Sequence, residues 1–387
     1  MSLKLHWFLP TQGDGRSLIE TGERGELGIA GGYRPPTLPY LSRIATAAED
    51  LGFEAALTPT GVWCDDAWIV TSMLSQLSSR LKFLVAFRPG LVSPTLAAQM
   101  AATFSFHAPG RLLLNVVTGG EDHEQRMFGD FLDKAERYKR SAEFLEAVDR
   151  LWDGEIVDFD GEHFRLDEAR VHRQPDPKPS IYFGGSSPEA LDVAARHVDV
   201  YLTWGEPPEA VAEKVAAVRS RAEEAGRTVR FGVRLHTISR DESADAWRDA
   251  ERLLDSVDPE TVQHVQQQLA RSQSEGQKRM LELHGGSRSD LEVYPNLWAG
   301  VGLGRGGAGT AMVGSHTEVA DLMEEYARAG IDEFVLSGYP HLEELYWFGE
   351  GVIPILESRG LFRRPEELVA TGGSNVNHVV PFTAQAK

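Results

Sequence analysis

The chain alternates short apolar runs with longer stretches in which apolar residues recur every three or four positions. Runs rich in β-branched and aliphatic residues predict strands, and the longer recurrence predicts helices. Eight strands are expected, at Leu3–Leu9, Ala55–Thr58, Leu81–Phe87, Leu112–Val117, Ile181–Phe183, Val198–Thr203, Phe231–Ile238 and Glu333–Leu336. Helices are expected between them, over Leu38–Leu51, Trp68–Ser78, Pro94–Ala108, Lys134–Trp152, Pro188–His197, Pro208–Ala225 and Thr317–Ala329. Pro94, Pro188 and Pro208 suit first helical turns, while Gly52, Gly226 and Gly330 suit C-terminal caps. Such regular alternation predicts an α/β fold, a (β/α)8 TIM barrel, within one domain over residues 1–362. Residues 15–39 and 241–316 break the rhythm and are expected as insertions at the carboxyl-terminal face, the second as a lid. Residues 363–387 read as a tail, mobile or laid across a neighbouring subunit.

The seventh strand carries the first chemical signal. A period of two puts Val233, Leu235 and Thr237 on one face and Arg234 with His236 on the other. The inner face of a barrel is normally filled with aliphatic side chains. One polar residue there reads as a satisfied core group; a cation and an imidazole side by side near the carboxyl end read as a site. The loops that follow the strands agree, being polar and glycine-rich almost every time. They place Gln12, Cys64, Thr118, Trp204 and Tyr339 at one end of the barrel.

Two glycine clusters need separate treatment. Gly184-Gly185-Ser186-Ser187-Pro188 joins a strand to a helix start, where free amides and two hydroxyls make a phosphate cradle. Asn115 and Thr118 lie at the same end, and Tyr138 begins a helix from which its hydroxyl can reach a phosphate oxygen. Gly302, Gly304 and Gly307 formally satisfy a dinucleotide-binding pattern, but no convincing strand precedes them and the glycines continue where a helix should start. That segment is read as a flexible loop that brings Arg305 to a bound anion.

Composition narrows the classes. The formal charge of −19 argues against nucleic acid and anionic membranes as partners. No apolar run is long enough to span a bilayer, and the start does not resemble a signal peptide. A single cysteine, Cys64, excludes an internal disulfide and fits a reducing cytoplasm. There is no His-Glu-x-x-His pair, so no metal site is expected, and His163, His172, His264 and His316 are read as surface residues. A hydrolase lacks its Gly-x-Ser-x-Gly elbow, and Lys82 opens its strand at the wrong end for a lysine-dependent lyase.

Several stretches together resemble the bacterial luciferase-like family of flavin-dependent monooxygenases, in particular its alkanesulfonate-cleaving branch. They include Trp7-Phe8-Leu9-Pro10-Thr11, Cys64-Asp65-Asp66-Ala67-Trp68, Tyr182 to Ser187, Tyr201 to Pro208, Arg234-Leu235-His236, Pro295 to Leu303, Arg305 to Thr310 and Leu336 to Glu344. The resemblance implies a barrel that uses reduced FMN, supplied by a separate NAD(P)H-dependent FMN reductase, with O2 as co-substrate. It implies that Cys64, Arg234, His236, Arg305 and Tyr339 match active-site positions, and that Asn115, Tyr138, Ser186 and Ser187, with Thr118 nearby, hold the flavin. Gln12, Trp204, Arg234 and Arg305 fall on the substrate side, where a small organosulfonate would lose sulfite and leave an aldehyde. In that chemistry His236 is expected to titrate near neutrality and move a proton, and Cys64 to adjust flavin reactivity rather than attack. A homodimer or homotetramer is expected.

Two departures bear on the substrate. Gln12 stands where relatives carry histidine, and Val62-Trp63 where they carry arginine and a small polar residue. The alternatives are a same-branch enzyme for methanesulfonate, dimethylsulfone or another small organosulfur compound, and a non-catalytic flavin-binding barrel.

Overall fold

In a computed structural model, which describes residues 2–18, 32–365 and Leu368, all eight expected strands are present. They are β1 (Lys4–Phe8), β2 (Ala55–Thr58), β3 (Lys82–Phe87), β4 (Leu112–Val116), β5 (Ile181–Phe183), β6 (Val200–Trp204), β7 (Arg230–Arg240) and β8 (Glu333–Ser337). Each pairs in parallel with the next, and β8 pairs with β1, which closes an eight-stranded barrel. The helices that follow them are α1 (Leu38–Leu51), α2 (Ala67–Leu74), α3 (Pro94–His107), α4 (Lys134–Trp152), α5 (Pro188–His197), α6 (Pro208–Glu224), α7 (His316–Arg328) and α8 (His341–Trp347). The (β/α)8 expectation holds. Most of the 15–39 insertion and of the 363–387 tail lies outside the described residues. Among the described residues no helix is long and apolar enough to cross a membrane.

The ends of the elements follow local chemistry. Ser93 and Ser187 cap α3 and α5 by accepting from the Leu96 and Ala190 amides, each with proline at the next position. Gly52 closes α1 in the left-handed conformation. α2 stops at Leu74, short of the expected Ser78. The helix Glu275–His284 forms in a stretch poor in apolar residues. Ser274 caps it, Gly285 ends it, and its buried face is Gln277, Met280 and His284. A face built mostly from polar side chains leaves no apolar period to read.

Two packed layers result. Outside the strands, Trp7, Val85, Val233, Leu235 and Phe334 are buried beneath the helices. Inside, Phe8, Leu57, Leu84, Leu113, Tyr182, Leu202 and Val335 fill the barrel. Below them the inner face turns ionic. Glu333 accepts from His6 Nε2 at 3.0 Å and from the Tyr182 hydroxyl at 2.6 Å, and it pairs with Arg230.

β7 runs two residues past its expected end because it gains a third partner. A ribbon of Glu292–Tyr294, Leu297–Trp298 and Ala311–Ser315 leaves the large insertion, and its last strand pairs in parallel with β7, Ala311 opposite His236. The insertion is thus rooted in the barrel sheet. Its other pieces are the helices Ser243–Asp255, Pro259–Leu269 and Glu275–His284.

Candidate active site

The carboxyl ends of the strands open into a cavity of about 1390 Å³. Phe8, Leu57 and Leu202 of the inner layer reach it from below, and Arg234 lies over the Phe8 ring at 4.7 Å. Its walls include Gln12, Asn115, Thr118, Tyr138, Ser186, Trp204, Arg234 and Arg305. Eight of the expected site residues therefore share one cavity. Cys64, Ser187, His236 and Tyr339 do not line it, and the last three are buried behind its wall.

On the β7–β8 side, Arg234 Nη1 donates to the Ser337 hydroxyl at 2.9 Å and to the Leu235 carbonyl at 2.9 Å. The Ser337 hydroxyl in turn meets His236 Nδ1 at 2.7 Å, and His236 Nε2 meets the Ala308 carbonyl at 3.1 Å. A carbonyl only accepts, so Nε2 carries the hydrogen and Nδ1 accepts from Ser337. Tyr339 stacks on the imidazole with centroids 5.4 Å apart, and its hydroxyl accepts from Arg305 Nη1 at 2.8 Å. The result is one connected unit running from Arg234 through His236 and Tyr339 to Arg305. Ser337 and Ala308 escaped the sequence reading. Ser337 shares its strand face with Glu333 and Val335, so the period of two carried that signal, whereas a backbone carbonyl has no side-chain signature.

The network changes the reading of His236. Burial, with Arg234, Arg305 and His341 nearby, pushes its pKa well below the ordinary 6.5. It is neutral at working pH and not the near-neutral titrating group expected. Protonation reverses the hydrogen bond at Nδ1, so that the Ser337 hydroxyl accepts there as well as from Arg234. The stability contribution is therefore complete above 6.5 and falls as the pH drops below it, because the unfolded chain takes up a proton that the folded one resists. We expect kcat/KM to show no acid limb near 6.5 that belongs to His236. Profiles of the wild type and His236→Gln should keep the same shape; a limb near 6.5 lost only in the variant would contradict this.

Cys64 sits in the loop after β2, outside the cavity lining. It is half-buried, its thiol meets the Gly61 carbonyl at 3.6 Å, and burial pushes its pKa up to about 12. A thiol so placed stays protonated near neutrality.

The sequence reading missed Asp14. Its carboxylate accepts from the His341 amide, from His341 Nδ1 at 2.9 Å and from the Tyr40 hydroxyl. Burial raises its pKa, but His341 and Tyr40 outweigh that and hold it below the usual range. Through His341, which meets Tyr339 edge-on at 5.5 Å, Asp14 braces the loop after β8.

On the β4–β5 side, Ser186, Tyr138, Thr118 and Asn115 line the cavity beside the start of α5. A Cβ on Gly184 would lie 2.5 Å from the Leu202 carbonyl oxygen. On Gly185 it would lie 2.6 Å from the Ala190 Cβ and 3.1 Å from the Tyr138 hydroxyl. Only glycine lets the chain turn here and leave hydroxyls and a helix start facing the cavity. Tyr138 is buried and hydrogen-bonded to Ser187 and Thr118. This cradle fits a phosphate, and the cavity above the apolar floor fits a flat ring system such as a flavin's.

The insertion forms the remaining wall. Trp204 lies under its helix, with a Cβ on Gly276 falling 3.1 Å from the indole. Gln277 accepts from the Gly307 amide at 2.9 Å, and Gln266 donates to the Gly302 and Leu303 carbonyls. The glycine cluster is thus less free than expected. A Cβ on Gly309 would lie 2.9 Å from the Gly302 Cα, so these glycines serve close backbone packing and form no dinucleotide motif.

Among the described residues, the metal-capable group Glu136, Glu162 and His163 lies away from the cavity lining, with Lys139 already paired to Glu136. His163 and His316, expected at the surface, are largely covered. His163 packs against Glu136, and His316 bonds to Ser239 and stacks on Trp347.

The comparisons agree with the barrel fold. Residues 3–333 match the family model described as luciferase-like monooxygenase. Among solved structures, the chain is similar to a riboflavin lyase, RcaE, with modified FMN and riboflavin (TM-score 0.79, 21% identity, 94% of this chain and 93% of that one). It is similar to DmoA from Hyphomicrobium sulfonivorans (0.74, 18%, 94% and 90%). A third is the EDTA monooxygenase EmoA from Chelativorans sp. BNC1 (0.73, 18%, 94% and 96%).

Proposed function

Because the chain belongs to the luciferase-like monooxygenase family, we propose that it is a reduced-FMN-dependent monooxygenase that cleaves the carbon–sulfur bond of alkanesulfonates with O2, giving an aldehyde and sulfite. The observation that carries this reading is a single cavity with a phosphate cradle on β4–β5 and two arginines on the β7–β8 side. In it, reduced FMN supplies the electrons that activate O2. Ser186 and Tyr138, with Asn115 and Thr118, hold the phosphate end. Arg234 and Arg305 meet the sulfonate oxygens, and Tyr339 offers its hydroxyl to charge developing there. Neutral His236 holds Ser337 and thereby the Arg234 guanidinium. The lid excludes water, which would otherwise divert the oxidising equivalent.

A separate NAD(P)H-dependent reductase as the flavin source, a cytoplasmic setting and self-association belong to the same reading. The exposed apolar residues Ile69 and Met73 on α2, with Leu77 in the turn that follows it, support self-association.

The test is sulfite release with reduced FMN across sulfonates of increasing length. Val62, Trp63 and Met127 line the cavity and are exposed at its rim, where an alkyl tail would lie. Each methylene buried there contributes about 0.8 kcal/mol. We expect kcat/KM to rise from methane- to pentanesulfonate, and Gln12→His to help short sulfonates most, since it adds a group that can carry charge near the headgroup. A strict preference for methanesulfonate, or for a neutral sulfone, would transfer the reading to a different organosulfur substrate.

A further inference from the structure

Arg88 follows β3 directly and lines the same cavity, although only 5% of it is exposed. One nitrogen is committed: Nη2 donates to Glu124 Oε2 at 2.6 Å. The Phe128 ring covers the guanidinium at 5.1 Å. Nε and Nη1 are buried and have no acceptor. The other lysines and arginines that line the cavity differ. Lys134 donates to the Gln273 carbonyl, Lys214 to Glu206 and Thr203, Arg234 to Ser337, and Arg305 to Tyr339. A buried charged donor without an acceptor is costly, so a protein keeps one where something else brings the acceptor.

Topology says where that acceptor comes from. β3 and β7 are four strands apart whichever way the barrel is traversed. Arg88 and Arg234 therefore stand on opposite walls of one cavity. Glu124 fixes the first of them and also accepts from the Val62 amide at 3.1 Å, so Arg88 is held beside the loop assigned above to the substrate tail. We infer that Arg88 is a second oxyanion subsite, which takes the far acid group of a difunctional sulfonate, a disulfonate or sulfocarboxylate, whose first acid is held by Arg234 and Arg305. This rests on the proposed function and adds a substrate class to it. Arg88 is a specificity residue here, because a monosulfonate reaches only the opposite wall.

The test is calorimetric titration under anaerobic conditions, with and without reduced FMN, using propane-1-sulfonate, propane-1,3-disulfonate and 3-sulfopropanoate. Wild-type protein should bind both difunctional ligands at least about tenfold more tightly than propane-1-sulfonate, the ordinary yield of one charge-assisted hydrogen bond. Arg88→Met should close that gap and leave propane-1-sulfonate unchanged. Three results would each overturn the assignment. The wild type shows no gap; or Arg88→Met weakens propane-1-sulfonate equally, placing the single headgroup at Arg88; or it weakens reduced FMN instead, placing a flavin carbonyl there. The wild-type comparison decides even if Arg88→Met fails to fold. Sulfite release is scored separately: its absence with every sulfonate removes the monooxygenase reading, while the titrations still decide the subsite.

Discussion

Arg305→Ala is expected to lower kcat/KM for sulfite release by at least about a hundredfold, the upper end of what one charged hydrogen-bonding group contributes. Three losses coincide. The cavity loses a cation on its substrate side, and Tyr339 loses the guanidinium that donates to its hydroxyl at 2.8 Å. The loop pinned at Gly302, Leu303 and Gly307 also loses the side chain that, in the proposed reading, would meet the sulfonate. Lysine restores charge without the planar fork, so Arg305→Lys should recover little. Arg305 is only half-buried, so both variants should melt close to the wild type. Full activity in Arg305→Lys would show that diffuse positive charge suffices.

Glu333→Ala should bring the largest loss of stability, on the order of 3–5 kcal/mol, the usual cost of breaking a buried ion pair from one side. It strips partners from His6, Tyr182 and Arg230 together, and the first two are buried. The pH dependence identifies the cause. Burial raises the Glu333 pKa, but His6, Arg230 and Tyr182 overcome this and hold it at about 2, against an ordinary 4.5. A depressed folded pKa means that the contribution is complete above 4.5 and is lost as the pH falls toward 2. In urea melts the gap between wild type and Glu333→Gln should therefore narrow as the pH falls below 4.5. A gap independent of pH would show that the carboxylate's charge is irrelevant.

The barrel was legible because its strands are apolar on both faces and its helices on one. Boundaries drawn from those patterns fall within two residues of the observed strands. What escaped has little pattern to show. Leu297–Trp298 is two residues long, and the hairpin Val157–Asp160 and Arg165–Ala169 is largely exposed. α8 offers the core few apolar residues, since its buried face is His341, Glu344 and Leu345. In the site, Arg234 and His236 stood out by breaking the aliphatic face of β7. The charge state of His236 did not, because it is set first by its burial and then by Arg234, Arg305 and His341, and the burial and the last two depend on segments far along the chain. Arg88 was visible only as a loop residue. Its significance lies in what does not bond to it, and no sequence records that.

Closure of the barrel between β1 and β8 also has a consequence on the ribosome. His6 bonds to Glu333 and Asp14 to His341, each across 327 positions. At roughly 5–20 residues per second, β1 emerges on the order of 15–65 s before the strand that completes it. Through that interval the nascent sheet has two raw edges, both apolar and both able to pair with another chain. Production of this protein should therefore be limited by chaperone capacity and translation speed, and slower growth or lower temperature should raise the soluble fraction more than any single stabilising substitution.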